Sequence, residues 1–262
     1  MSTADRSGQA VTGPVPVVLV HGNPETSAVW DLLLVELDRD DVIRLSPPGF
    51  GAPLTARSPT SMEGYRDWLI ARLEEFRRPV DLVGHDWGGA HVLNAAQARP
   101  DLLRSWVTDV AGLFHPAYAW HPRAQVWQTP DDGERAVAQM VSASLSDRTN
   151  AMLALGIPHP VAERVAAGQD DHMARAILSL YRSARQPALV EAARELEAAA
   201  ASPGLVLSAS DDDMTGSEQM RRWVADRAGA DVVTLPGVGH WWMLQDPAQA
   251  AAVLTSFWSR CD

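Results

Sequence analysis

The stretch "DLVGHDWGGA", residues 81–90, reads as an apolar strand that breaks at a glycine-bounded turn and continues as a helix. Gly84 and Gly88 remove side chains where the backbone must bend sharply, which holds residue 86 out at the edge of a sheet. Elbows of this kind commonly present a serine; this chain presents Asp86, between His85 and Trp87. The helix N-terminus behind that position favours an anion, so Asp86 is expected ionised and ready to attack. The plain alternative is that Asp86 only caps the helix.

Outward from the elbow, strands and helices alternate. "VPVVLVHGNP" and "DVIRLSPPGFGAP" are valine- and leucine-bearing runs closed by Pro and Gly, as short buried strands are. "TSAVWDLLLVELDR", "MEGYRDWLIARLEEF" and "AHVLNAAQARP" carry apolar residues at helical spacing, and "RSWVTDVAG" returns to a strand. Such alternation predicts a mostly parallel sheet flanked by helices on both faces. It stops near Phe114, and strands resume only with "GLVLSASDDDM" and "ADVVTLPGVGHWW", before a closing helix in "DPAQAAAVLTSFW". The expected organisation is an α/β core made of residues 1–113 and 201–262, with a helical lid at 114–200. The alanine-rich "EAARELEAAAA" reads as the tail of a lid helix.

Composition narrows the function classes. A net charge of −11 argues against nucleic acid or an anionic membrane as partner, since both need basic patches. No stretch approaches the roughly 20 apolar residues of a membrane span. The polar start "MSTADRSGQAVTGP" lacks the apolar core of a signal peptide, so a cytoplasmic chain is expected. Cys261 is the single cysteine, which rules out an internal disulfide or a cysteine metal site. His115, His159 and His172 have no ligand spacing, so no metal is expected. A homodimer is compatible with the chain, but nothing in the sequence selects an oligomeric state.

The order "HGNP", "GHDWGG", an acidic turn and "GVGHWW" resembles the α/β-hydrolase superfamily from Val15 to Trp258. "GHDWGG" is similar to the branch with an aspartate nucleophile, which contains epoxide hydrolases and haloalkane or haloacid dehalogenases. Chemistry agrees with the residue type. A carboxylate attacking a carbonyl would make a mixed anhydride, no easier to break than the ester it came from. At saturated carbon it displaces a leaving group in one step and leaves an ordinary ester that water can cleave. The resemblance implies His240 as the base that activates this water, and Asp212, counted along the turn from Ala209, as the acid that orients it. Asp109, at the end of "WVTDV", is the competing acid, although its spacing from Pro100 is one residue short of the usual pattern. No cofactor is implied, and the partner is a small hydrophobic organic substrate.

The leaving group divides the branch. Opening an epoxide makes an alkoxide that needs a proton, whereas a halide needs only N–H donors in a dry pocket. Tyr181, in "SLYRSARQ", resembles the second lid tyrosine of epoxide hydrolases, and fluoroacetate dehalogenases share a Tyr-Arg there. The place of the first lid tyrosine, before Gln128 to Pro130, holds Arg123 and Ala124, which leaves Tyr118, Trp120, His121 and Trp127 as candidate donors. "HGNPETSAVW" is similar to the first motif of haloalkane dehalogenases, where the residues matching Asn23 and Trp87 hold the halide. The arginines of fluoroacetate dehalogenases are absent, since Trp87 and Ala90 stand in their places. Trp241 and Trp242 are expected to wall the pocket. The reading is epoxide hydrolysis first, haloalkane dehalogenation second, and a binding protein on the same fold as the contrasting class.

Overall fold

Among residues 14–261, which the computed structural model describes, six strands form one sheet. The stretch on which the cytoplasmic reading rests lies, up to residue 13, outside the described residues. The strands are β1 (Val17–Val20), β2 (Val42–Leu45), β3 (Val80–Gly84), β4 (Leu103–Thr108), β5 (Gly204–Ala209) and β6 (Ala230–Leu235). Their order is β2-β1-β3-β4-β5-β6, and every neighbouring pair is parallel. β1 shows why the sequence runs apolar without alternation: both of its faces are covered. Val18 and Val20 enter one hydrophobic cluster, while Val17 and Leu19 enter the other. Asp81 interrupts the apolar run of β3 and is fully buried, where Arg104 pairs with it and Ser105 donates to it at 2.6 Å.

Register places the functional loops. Val20 sits beside Gly84, and Gly84 beside Thr108, so the segments after β1, β3 and β4 leave the sheet side by side. Ala209 pairs with Leu235 farther along the same edge. Loops at the carboxyl ends of parallel strands converge, and binding sites form there.

Helices α1 (Asp31–Leu37), α2 (Met62–Glu74) and α3 (Trp87–Ala98) connect the first four strands. α3 is buried along nearly its whole length. Between β4 and β5 the described chain has no strand; it forms α4 (Pro122–Gln128), α5 (Asp132–Ser142), α6 (Leu145–Ala154), α7 (His159–Ala167), α8 (Asp171–Ser183) and α9 (Ala188–Ala192). α10 (Glu218–Ala228), α11 (Trp242–Gln245) and α12 (Pro247–Trp258) complete the chain. None of the helices described is long and apolar enough to cross a membrane.

Two local readings need correction. "EAARELEAAAA" is not one helix tail: α9 ends at Ala192, and Leu196–Ala201 forms a separate 3-10 helix against α3. Trp106 pins it by donating its indole N–H to Ala199 O at 3.1 Å, so packing overrides alanine's helical preference. α10 went unread because it buries little: Val224, Ala225 and Ala228 are its only buried apolar residues, and Arg221 shares their face.

Candidate active site

The elbow is built as its glycines require. A Cβ on Gly88 would collide with the carbonyl of Val20, and one on Gly84 with the carbonyl of Gly88. Asp86 takes φ 50°, a conformation that side-chain-bearing residues seldom adopt. Its carboxylate makes no capping bond to α3. Instead Oδ1 accepts the backbone N–H of Asn23 at 2.8 Å. Gly22 has room for no side chain, because a Cβ there would overlap the Asp86 carboxylate.

His240 and Asp212 line up behind Asp86. His240 Nδ1 donates to Asp212 Oδ2 at 2.9 Å, and Nε2 lies 3.7 Å from Asp86 Oδ2. Asp212 is fixed by the backbone N–H of Met214 at 2.8 Å and the Thr215 hydroxyl at 3.3 Å. Buried Arg221 donates to the Asp212 carbonyl oxygen at 2.6 Å, which ties the acid turn to α10. Asp109 has other partners. It accepts the backbone N–H of Asp86 at 3.0 Å, the His85 Nδ1–H at 2.5 Å and the Trp242 indole N–H at 2.7 Å.

A second buried network lies beneath the first and was missed in the sequence. Glu25 is fully buried and accepts from His85 Nε2 at 3.1 Å, from the Trp241 indole at 2.5 Å and from the Gly22 backbone N–H at 3.2 Å. The His85 ring lies 4.7 Å from that of His240. Glu25 follows "HGNP" and His85 precedes Asp86, but nothing local reveals that carboxylates 60 and 24 positions away would share one imidazole. Glu25, His85 and His240 bring three ligand atoms within 4.8 Å of one another, yet each ring or carboxylate is already hydrogen-bonded within the protein.

Charges follow from this wiring. Burial pushes Asp86 up to about 6, against the pull of His240. Burial also opposes charge on His240, but the Asp212 hydrogen bond and the charges of Asp212 and Asp86 together outweigh it and raise the imidazole. Burial works against the Asp212 charge, yet the hydrogen bond and charge of His240, the Met214 backbone N–H and Arg221 together hold the carboxyl at about 2. Burial disfavours the His85 cation, yet Glu25 and Asp109 together raise it well above its ordinary value. The site therefore rests on a buried imidazolium clamped between two carboxylates.

A cavity of about 920 Å³ opens above Asp86. Asn23, Trp120, His121, Trp127, Tyr181, Asp212, His240 and Trp241 line it, as do Tyr118 and Arg123. Trp87 does not line it; its ring lies behind, edge-on to Tyr181 at 5.3 Å and stacked on Trp120 at 5.6 Å. Trp242 is likewise behind the wall, bonded to Asp109. Tyr181 is buried, and its hydroxyl oxygen accepts the Asn23 Nδ2–H at 3.3 Å. Burial and then the charge of Asp86 raise this phenol well above 10, so it keeps its proton. The other candidate donors fare differently. Tyr118 donates to Met214 O at 2.9 Å and Trp120 to Ala184 O at 3.1 Å. His121 Nδ1 accepts the Ala124 backbone N–H at 3.3 Å, and burial lowers the imidazole to about 4.

A model of the alpha/beta hydrolase family matches residues 17–253. The chain is 26% identical over 201 residues to the AB hydrolase superfamily protein YfhM of Bacillus subtilis, covering 68% of each chain. It is 34% identical over 110 residues to an epoxide hydrolase of Caballeronia sordidicola; that match covers 40% of this chain and about a third, 32%, of the relative. Among solved structures, an E-2-(acetamidomethylene)succinate hydrolase superposes with a TM-score of 0.73 at 20% identity, over 94% of this chain and 91% of that one. A haloalkane dehalogenase from Bradyrhizobium elkani gives 0.67 at 22% identity, over 94% and 91%. At these identities the superpositions speak for the fold.

Proposed function

Because the chain belongs to the alpha/beta hydrolase family, we propose that it is a cofactor-independent hydrolase in which Asp86 attacks saturated carbon, with epoxides as the substrate class. Asp86 opens the ring and becomes an ester; Tyr181 gives its proton to the departing oxygen. His240, oriented by Asp212, then takes a proton from water, and the hydroxide attacks the ester carbonyl. The observation that carries the reading is the Tyr181 hydroxyl: it lines the same cavity as Asp86, and its oxygen accepts the Asn23 Nδ2–H while its own proton stays available. Residues 114–200 act in this reading as a lid, since Tyr181, Trp120, His121 and Trp127 close the cavity over the nucleophile.

Haloalkane dehalogenation is the second reading, favoured by the presence of Asn23 and Trp87 as side-chain donors. The Asn23 amide is spent on Tyr181 here, so a halide would have to displace a phenol oxygen from it. Single turnover in heavy-oxygen water tests the covalent step: label in the Asp86 carboxylate supports it, and an unlabelled protein with a bound but unchanged ligand supports a binding protein. Diol release from simple alkyl and aryl oxiranes, set against bromide release from alkyl bromides, then separates the two enzymes.

A further inference from the structure

Asn23 holds two reacting groups at once: its backbone N–H bonds Asp86, and its side-chain amide bonds Tyr181. We propose that Asn23 Nδ2 forms a cradle for tyrosinate, receiving the negative charge that appears on the Tyr181 oxygen when the phenol protonates the departing oxygen. This rests on the epoxide reading and deepens it. An amide nitrogen can only donate, so it cannot take the Tyr181 proton, and its bond must strengthen as that oxygen becomes anionic. The oxygen is buried, and donors preorganised around developing charge in a dry site act with most effect. The cradle also accounts for a single lid phenol. Arg123 and Ala124 occupy the place of a first tyrosine, and the Tyr118 proton is committed to Met214 O.

The protons balance. As the Asp86–carbon bond forms and the carbon–oxygen bond breaks, the departing oxygen takes the Tyr181 proton and tyrosinate remains. Water then yields one proton to His240, and its hydroxide enters the ester carbonyl. Collapse expels the diol alkoxide, which takes the proton from His240. The second proton of the water, left on the Asp86 carboxyl, returns to Tyr181. Asn23 is a positioning residue here: it touches Tyr181 and leaves the carbon alone.

The test uses full-length protein and rapid-quench mass measurement of the alkyl-enzyme adduct. Asn23→Leu keeps the backbone bond to Asp86 but loses the amide; Asn23→Ala loses the same amide with less bulk, and serves if the first variant does not fold. Each is run against a simple alkyl oxirane and a trifluoromethyl oxirane, whose less basic oxygen needs its proton less. The expected result is a loss of about 10- to 100-fold in adduct formation with the alkyl oxirane, expressed in the maximal rate with half-saturation little changed, and a markedly smaller loss with the fluorinated one. An equal loss on both substrates, or none, overturns the cradle while the reaction stands. No adduct in the wild-type protein with either oxirane overturns both.

Discussion

Asp109 accepts the backbone N–H of Asp86 at 3.0 Å. The competing acid of the sequence thus supports the elbow from below, while Asp212 bonds His240. Substitution should separate the two roles. Asp109→Ala strands a backbone N–H, an imidazolium and an indole in the core, and is expected to cost about 3–5 kcal/mol in urea denaturation. Asp212→Asn should retain most stability but slow ester hydrolysis by 10²-fold or more, so that adduct accumulates. Accumulation in Asp109→Asn but not in Asp212→Asn would reverse the assignment.

The two half-reactions should respond differently to pH. Attack needs ionised Asp86, so adduct formation is expected to fall as pH drops through about 6. Hydrolysis needs neutral His240, whose charged form draws support from Asp212 and from Asp86. Alkylation removes the charge of Asp86, so the base should titrate lower in the adduct than in the free protein. Tyr181 stays protonated past pH 10, so neither rate should decline on the alkaline side below that. Rapid-quench profiles from pH 5 to 9.5 check this, and a flat rate of adduct formation down to pH 4.5 would contradict it.

Most of the fold was legible because the parallel strands are uninterrupted apolar runs closed by Gly and Pro, and register then forces their loops together. Asp86, His240 and Asp212 were legible as a group for the same reason, since each follows a strand end. What stayed hidden was made by distant partners. Asn23 was readable as a halide donor, but that its amide turns on the Tyr181 oxygen depends on how α8 lies over the sheet. Glu25 and His85 lay inside quoted motifs, yet a buried ion cluster has no periodicity to betray it.

An ionised Asp86 in a desolvated pocket should cost stability. The folded protein raises its carboxyl from 3.8 to about 6, so it binds a proton more tightly than the unfolded chain does. Stability from this group is therefore present at low pH and is lost as pH rises from about 4 through 6. Asp86→Asn removes the charge and is expected to gain about 1–3 kcal/mol at pH 8, a gain that shrinks toward zero near pH 4. Urea denaturation at both pH values measures it; equal stabilities at pH 8 would mean that the site tolerates the carboxylate without cost.

Gly22 gives the most direct test of how tightly Asp86 is placed. A methyl group there would overlap the Cβ, Cγ and Oδ1 of Asp86, and the elbow cannot retreat, because Gly88 already presses on the Val20 carbonyl. Gly22→Ala must therefore push the carboxylate off the Asn23 N–H and away from His240. A displacement of about 1 Å is enough to cost on the order of 10²-fold in rate, and local overpacking costs about 1–3 kcal/mol. Adduct formation should fall by at least that factor at a temperature where both proteins remain folded. An active Gly22→Ala would mean that Asp86 approaches its substrate from some other orientation than the one its Asn23 backbone donor holds.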